Sequence, residues 1–88
     1  MATRVQLWGF DDEDPVVKAT FYLKDDGTVG VEAKDEGNVR YATSLVKDGI
    51  EGRGGKKLHL SDGQEFLDNL KHHFRSRYTW VRDERPPG

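Results

Sequence analysis

Three features of this 88-residue chain predict a small α+β domain, an antiparallel sheet of three to four strands covered on one face by one or two helices. Segments 16–24 and 28–34 alternate apolar and polar residues, the pattern of strands with one buried face. Residues 61–75 place apolar side chains at helical spacing behind a capping signature. One apolar sheet face and one helix stripe bury each other, which makes a two-layer domain. The expected order is strands, then two helices, with 61–75 as the C-terminal helix and 78–82 as a possible fourth strand.

Composition sets the outer limits. A chain of this length forms one domain, expected over residues 1–83 with 84–88 as a disordered tail, and leaves room only for a shallow cavity. Cysteine is absent, so neither disulfides nor thiolate metal sites supplement the core. The first ten residues hold one Arg and no apolar run of signal-peptide length, and no stretch approaches the roughly 20 apolar residues of a membrane span. These points predict a soluble, cytoplasmic protein of bacterial type with no membrane association.

Residues 3–8 open the sheet, with Val5 and Leu7 on one face and Arg4, Gln6 and Trp8 on the other. Asp11, Asp12, Glu13 and Asp14 repel one another and precede Pro15, so they predict a solvated connecting loop. A calcium loop would alternate its ligands and include a glycine, and this run does neither. In 16–24, Val17, Ala19, Phe21 and Leu23 point inward; in 28–34, Val29, Val31 and Ala33 do. A two-residue turn at Asp26-Gly27 would oppose Phe21 to Glu32, placing apolar and polar residues on one face. A three-residue loop, Asp25-Asp26-Gly27, instead pairs Leu23 with Val29, Phe21 with Val31 and Ala19 with Ala33, puts Gly27 in the left-handed position and sets Tyr22 over Gly30.

Asn38 is the expected N-cap of the next element. Val39, Ala42, Leu45 and Val46 recur at helical spacing, although Val39, Tyr41, Thr43 and Leu45 would also line one face of a strand. The exit Lys47-Asp48-Gly49 favours helix over 38–48. Residues 50–57, IEGRGGKK, combine glycines with cations but lack the spacing of a phosphate loop, so a solvated loop is expected. Leu58 and Leu60 make a short extended piece with two inward anchors. Ser61 and Gln64 form a capping box, and Phe66, Leu67, Leu70 and Phe74 form the stripe of the last helix.

The net charge of −2 conceals an uneven distribution. Residues 1–44 carry five Lys/Arg against nine Asp/Glu, whereas 45–88 carry nine against seven. Lys71, Arg75, Arg77 and Arg82 make a basic strip interleaved with Tyr78 and Trp80, two aromatics expected on one strand face. Cations between aromatic faces suit single-stranded nucleic acid, although no RNA- or DNA-binding signature accompanies them. A last strand that buries Trp80 explains the same residues by structure alone. Lys71, Arg75, Arg77, Tyr78, Trp80 and Arg82 are therefore the candidate partner-binding residues.

Asp68 and His72 share a helix face, and with His59 they are the nearest approach to a metal or catalytic group, but a surface pair accounts for their spacing. Neither a metal site nor a nucleophile with a positioned base and acid is expected, and no cofactor motif is present. The leading expectation is a non-enzymatic binding or adaptor module for a protein partner. Single-stranded nucleic-acid binding through 71–82 is the alternative.

Overall fold

A computed structural model describes residues 3–48 and 62–84. Its elements are strands β1 (Arg4–Asp11), β2 (Asp14–Leu23) and β3 (Val29–Glu32), helices α1 (Glu36–Val46) and α2 (Asp62–His73), and strand β4 (Trp80–Asp83). The four strands form one antiparallel sheet in the order β3-β2-β1-β4. The first three make a meander, and the chain returns after both helices to add β4 beside β1. Of the segment 78–82 expected as a possible fourth strand, residues 80–82 are strand, and this strand follows the helix rather than leaving the helix C-terminal.

The expected β2–β3 hairpin forms in the expected register. Leu23 pairs with Val29, Tyr22 with Gly30 and Phe21 with Val31. Gly27 has a φ of 86°, the left-handed conformation that glycine adopts without steric cost. Thr28 closes the turn by donating its amide and hydroxyl to Asp26 Oδ1 at 3.0 and 2.5 Å. The ladder ends at Thr20 opposite Glu32, so the pairing expected for Ala19 and Ala33 lies one step beyond it.

Between β1 and β2 the structure revises the expectation. The acidic run is solvated as expected but is a tight hairpin whose outer residues join the ladder: Asp11 pairs with Asp14 across Asp12 and Glu13, and Asp12 has a φ of 55°. Val17 does not point inward. Leu7 pairs with Ala19 but Trp8 pairs with Val17, leaving Lys18 as an extra residue. A bulge of one residue reverses the alternation beyond it, so Val17 shares a face with Trp8 and is 39% exposed. Pro15 lies beyond the end of β3 and faces a neighbouring strand on one side only, where its missing N–H is tolerated.

Helix α1 forms where 38–48 favoured helix, but its cap is Asp35 and not Asn38. Asp35 is extended and its carboxylate accepts from the Gly37 amide at 2.7 Å. A carboxylate there, with Glu36 in the first turn, meets the positive end of the helix, which neutral Asn38 does not exploit. Residues 49–61, which include the expected glycine exit, the 50–57 loop, Leu58, His59, Leu60 and the Ser61 cap, lie outside the described residues, as do 85–88 of the expected tail.

Both helices cover one face of the sheet. Val5, Leu7, Ala19, Phe21 and Val29 from the strands enclose Ala42 of α1 and Phe66, Leu67 and Leu70 of α2. Phe74 of the predicted stripe packs half-buried at the margin. Phe21 and Phe66 meet edge to face at 5.7 Å, an arrangement that adds to their area burial. Among the described residues, no helix is long and apolar enough to cross a membrane.

Candidate functional site

Among the described residues, no helix lies on the opposite face of the sheet. Alternation places Arg4, Gln6, Trp8 and Phe10 of β1 there, with Trp80 and Arg82 of β4 beside them: Trp8 pairs with Trp80 and Gln6 with Arg82. Across β2, Tyr22 pairs with Arg4, Thr20 with Gln6 and, past the bulge, Val17 with Trp8. Three zones follow one another along the strands.

At one end, Arg4 is held by two carboxylates. Its Nε donates to Glu84 Oε2 at 2.8 Å and its terminal nitrogen to Glu32 Oε2 at 3.0 Å, while the guanidinium lies over the Tyr22 ring at 5.5 Å. Hydrogen bonds from Glu84 first, then Glu32, raise the pKa of Arg4 above its ordinary value. The Glu84 amide also donates to the Arg4 carbonyl, so the first residue of the expected tail belongs to the sheet edge.

In the middle, Arg82 is exposed and stands over the Trp8 ring at 5.3 Å. Beyond it is an aromatic cluster. Trp8 and Trp80 stack with centroids 6.2 Å apart at 13°, and Phe10 meets Trp80 at 5.4 Å. Phe10 is 41% exposed. Trp8 Nε1 donates to Gln6 Oε1 at 3.2 Å, whereas the buried Trp80 Nε1 has no partner. The cluster ends at the acidic turn, Asp11 to Asp14, whose residues are all exposed.

The structure divides the six candidate residues among three places. Lys71 lies on the helix side, where its Nζ pairs with Asp83 at 2.5 Å. Trp80 and Arg82 lie on the helix-free face. Arg75, Arg77 and Tyr78 belong to the connection from α2 to β4: Arg75 bridges to Trp80 and encloses a turn held by Ser76. The Ser76 hydroxyl accepts the amides of Tyr78 and Thr79 and donates to the Thr79 carbonyl. Tyr78, expected to share a strand face with Trp80, is instead a turn residue, 68% exposed with the Arg77 guanidinium 5.6 Å from its ring centre.

Trp8, Phe10 and Val17 are the members that sequence reasoning passed over. Alternation places Trp8 on the outer face, and that is the signal the sequence offers. Val17 was hidden by the bulge and Phe10 by its adjacency to the acidic run. A separate cleft of about 520 Å³ lies between the end of α1 and α2, lined by Leu45, Asp48, Phe66, Leu70, His72 and His73 among others. Asp68 is not part of it and accepts from Gln64 Nε2 at 3.1 Å. Among the described residues, no group of three His, Asp or Glu is placed to hold a metal ion.

Among the described residues, fold and site together define an α+β two-layer domain, with helices on one side of the sheet and an aromatic cluster on the other. Comparison with family models, curated proteins and solved structures returns no significant match for this chain.

Proposed function

We propose that this is a non-enzymatic, cytoplasmic binding module that docks a protein partner on the helix-free face of its sheet. One observation carries the reading: Trp8, Phe10, Val17 and Trp80 form a contiguous apolar surface on a face that no helix among the described residues covers. Large aromatics at the centre and charges at the rim are the composition of a protein docking site. Nucleic acid suits this face less well. Bases stacked on Phe10 would bring their phosphates beside four carboxylates, and Lys71 is already neutralised by Asp83.

A photo-crosslinking amino acid at position 10 tests the reading in cells of the source organism. Protein adducts are expected at position 10 and not at the exposed α1 position 40; crosslinking at neither, with the protein folded, refutes it.

A second reading, single-stranded nucleic-acid binding, draws support from Tyr78, exposed beside Arg77 on the Ser76 turn. Labelled oligonucleotides titrated at two salt concentrations decide it. Binding that falls steeply with salt and is lost in Arg77→Ala/Tyr78→Ala would establish it, and no binding at low salt removes it.

A further inference from the structure

We infer that β4 is a detachable strap, kept on the sheet by its ladder to β1 and by ion pairs at one end, and that its docking assembles the aromatic face. The strap stands on the structure alone; its consequence for a partner rests on the docking reading above.

Three observations set β4 apart. Among the described residues, it pairs with β1 and, through one bridge at Trp80, with Arg75. Each of the other three strands holds buried residues, whereas none of the four residues of β4 is buried: Val81 packs half-buried at the core margin, and Arg82 and Asp83 are exposed. Its largest side chain, Trp80, buries an indole N–H that has no partner among the described residues, so docking takes from water a donor that detachment would return to it.

What fastens the end of the strand is ionic. Asp83 pairs with Lys71 of α2, and Glu84, just beyond the strand, pairs with Arg4 of β1; all four side chains are between 30 and 49% exposed. Ion pairs so exposed are weak and are screened by salt. A short strand with weak ties and no buried residue opens before the core does.

Detachment acts directly on the open face. Trp80 is the ring against which both Trp8 and Phe10 pack, and Arg82 is the cation over Trp8. With β4 away, the cluster loses Trp80 and the backbone groups of β1 that pair with β4 are bared. Docked and detached β4 are therefore two states of one surface, and the docked state presents all four apolar side chains together.

Amide hydrogen exchange read by NMR separates the strap from the sheet. The Glu84 amide bonds the Arg4 carbonyl and the Leu23 amide bonds the Thr3 carbonyl. By antiparallel alternation, Gln6 and Arg82 then bond each other between β1 and β4, and Val5 and Phe21 between β1 and β2. Corrected for intrinsic rates, Gln6 and Arg82 are expected to exchange faster than Val5 and Phe21 by on the order of tenfold or more, and to respond less to low urea, because a small opening exposes little surface. Glu84→Gln and Lys71→Gln should each speed exchange at Gln6 and Arg82 by about two- to fivefold, and high salt should do the same in the wild type.

Equal protection of the two groups, falling together as urea is raised, overturns the strap. Fast exchange at Gln6 and Arg82 that neither substitution changes overturns its ionic fastening. A strap shown in this way with no protein adduct at position 10 removes the docking reading alone, whereas adducts with equal protection remove the strap alone.

Discussion

The two faces of this sheet are built from the same four strands and do different work. On the helix side, Val5, Leu7, Phe21 and Leu67 are essentially inaccessible to solvent. On the other, aromatic rings stack on one another and two carboxylates clamp an arginine, yet Phe10 and Val17 remain substantially exposed. Burial on one side stabilises the fold, and incomplete burial on the other leaves aromatic and aliphatic surface in contact with solvent, the surface proposed above to dock a partner. Substitutions that separate these roles should therefore affect stability on one face and association on the other.

The largest effect is expected from Phe21→Ala. Removing a fully buried ring that also meets Phe66 should cost about 3–5 kcal/mol. In a domain of this size that is a fall in Tm of about 12 °C or more, measurable by thermal circular dichroism.

A pair of glycines sharpens the contrast between faces. A Cβ on Gly63, at the start of α2, would lie 2.1 Å from the Gly27 carbonyl oxygen, so Gly63→Ala must push helix against backbone. Urea unfolding should register about 1–3 kcal/mol of lost stability. A Cβ on Gly30 would meet the Tyr22 ring at 2.2 Å, but that ring is the end of a side chain on the open face and can swing away. Gly30→Ala should cost less than Gly63→Ala, and equal losses would show the open face to be as rigid as the core.

Smaller again is Trp80→Phe. The exchange removes the unpartnered indole N–H while keeping a ring against Trp8 and Phe10. An unsatisfied buried donor is unfavourable, so the change in stability by chemical denaturation should stay within about 1 kcal/mol. A much larger loss would mean that Trp80 belongs energetically to the core.

The smallest effect concerns pH and the β2–β3 turn. Hydrogen bonds from the Thr28 hydroxyl and then its amide hold the Asp26 carboxyl below its ordinary pKa. A depressed carboxyl pKa contributes stability that is complete above the unfolded value, about 3.9, and is lost as pH falls through the folded one. NMR titration should find the Asp26 pKa below that value in the wild type and closer to it in Thr28→Val. An unchanged pKa would remove the hydroxyl as the main cause.

Much of the helix side is legible in the residues. The three-residue turn at 25–27 follows from refusing to place Phe21 opposite Glu32, and the apolar stripe of α2 follows from its spacing. Asp35 is harder to read as a cap, because Asp35 and Asn38 both suit the role and only the path of the chain selects between them. The open face is less legible. Arg82 and Trp80 stand out by composition, but strand alternation also groups Tyr78 with them, although Tyr78 precedes β4 and belongs to the Ser76 turn.

The aromatic cluster shows where local pattern ends. Alternation and helical spacing by themselves determined the α+β class, the β2–β3 register and most of the core, with Val17 the exception, because each depends on neighbours within a few positions. Tertiary structure alone decided that Lys18 is a bulge, that Val17 therefore turns to the face of Trp8, and that Trp80 comes from the far end of the chain to lie beside Trp8. These outcomes depend on pairing between strands distant in sequence. A single inserted residue reverses every side chain beyond it, and no local pattern reveals which strand will become the neighbour.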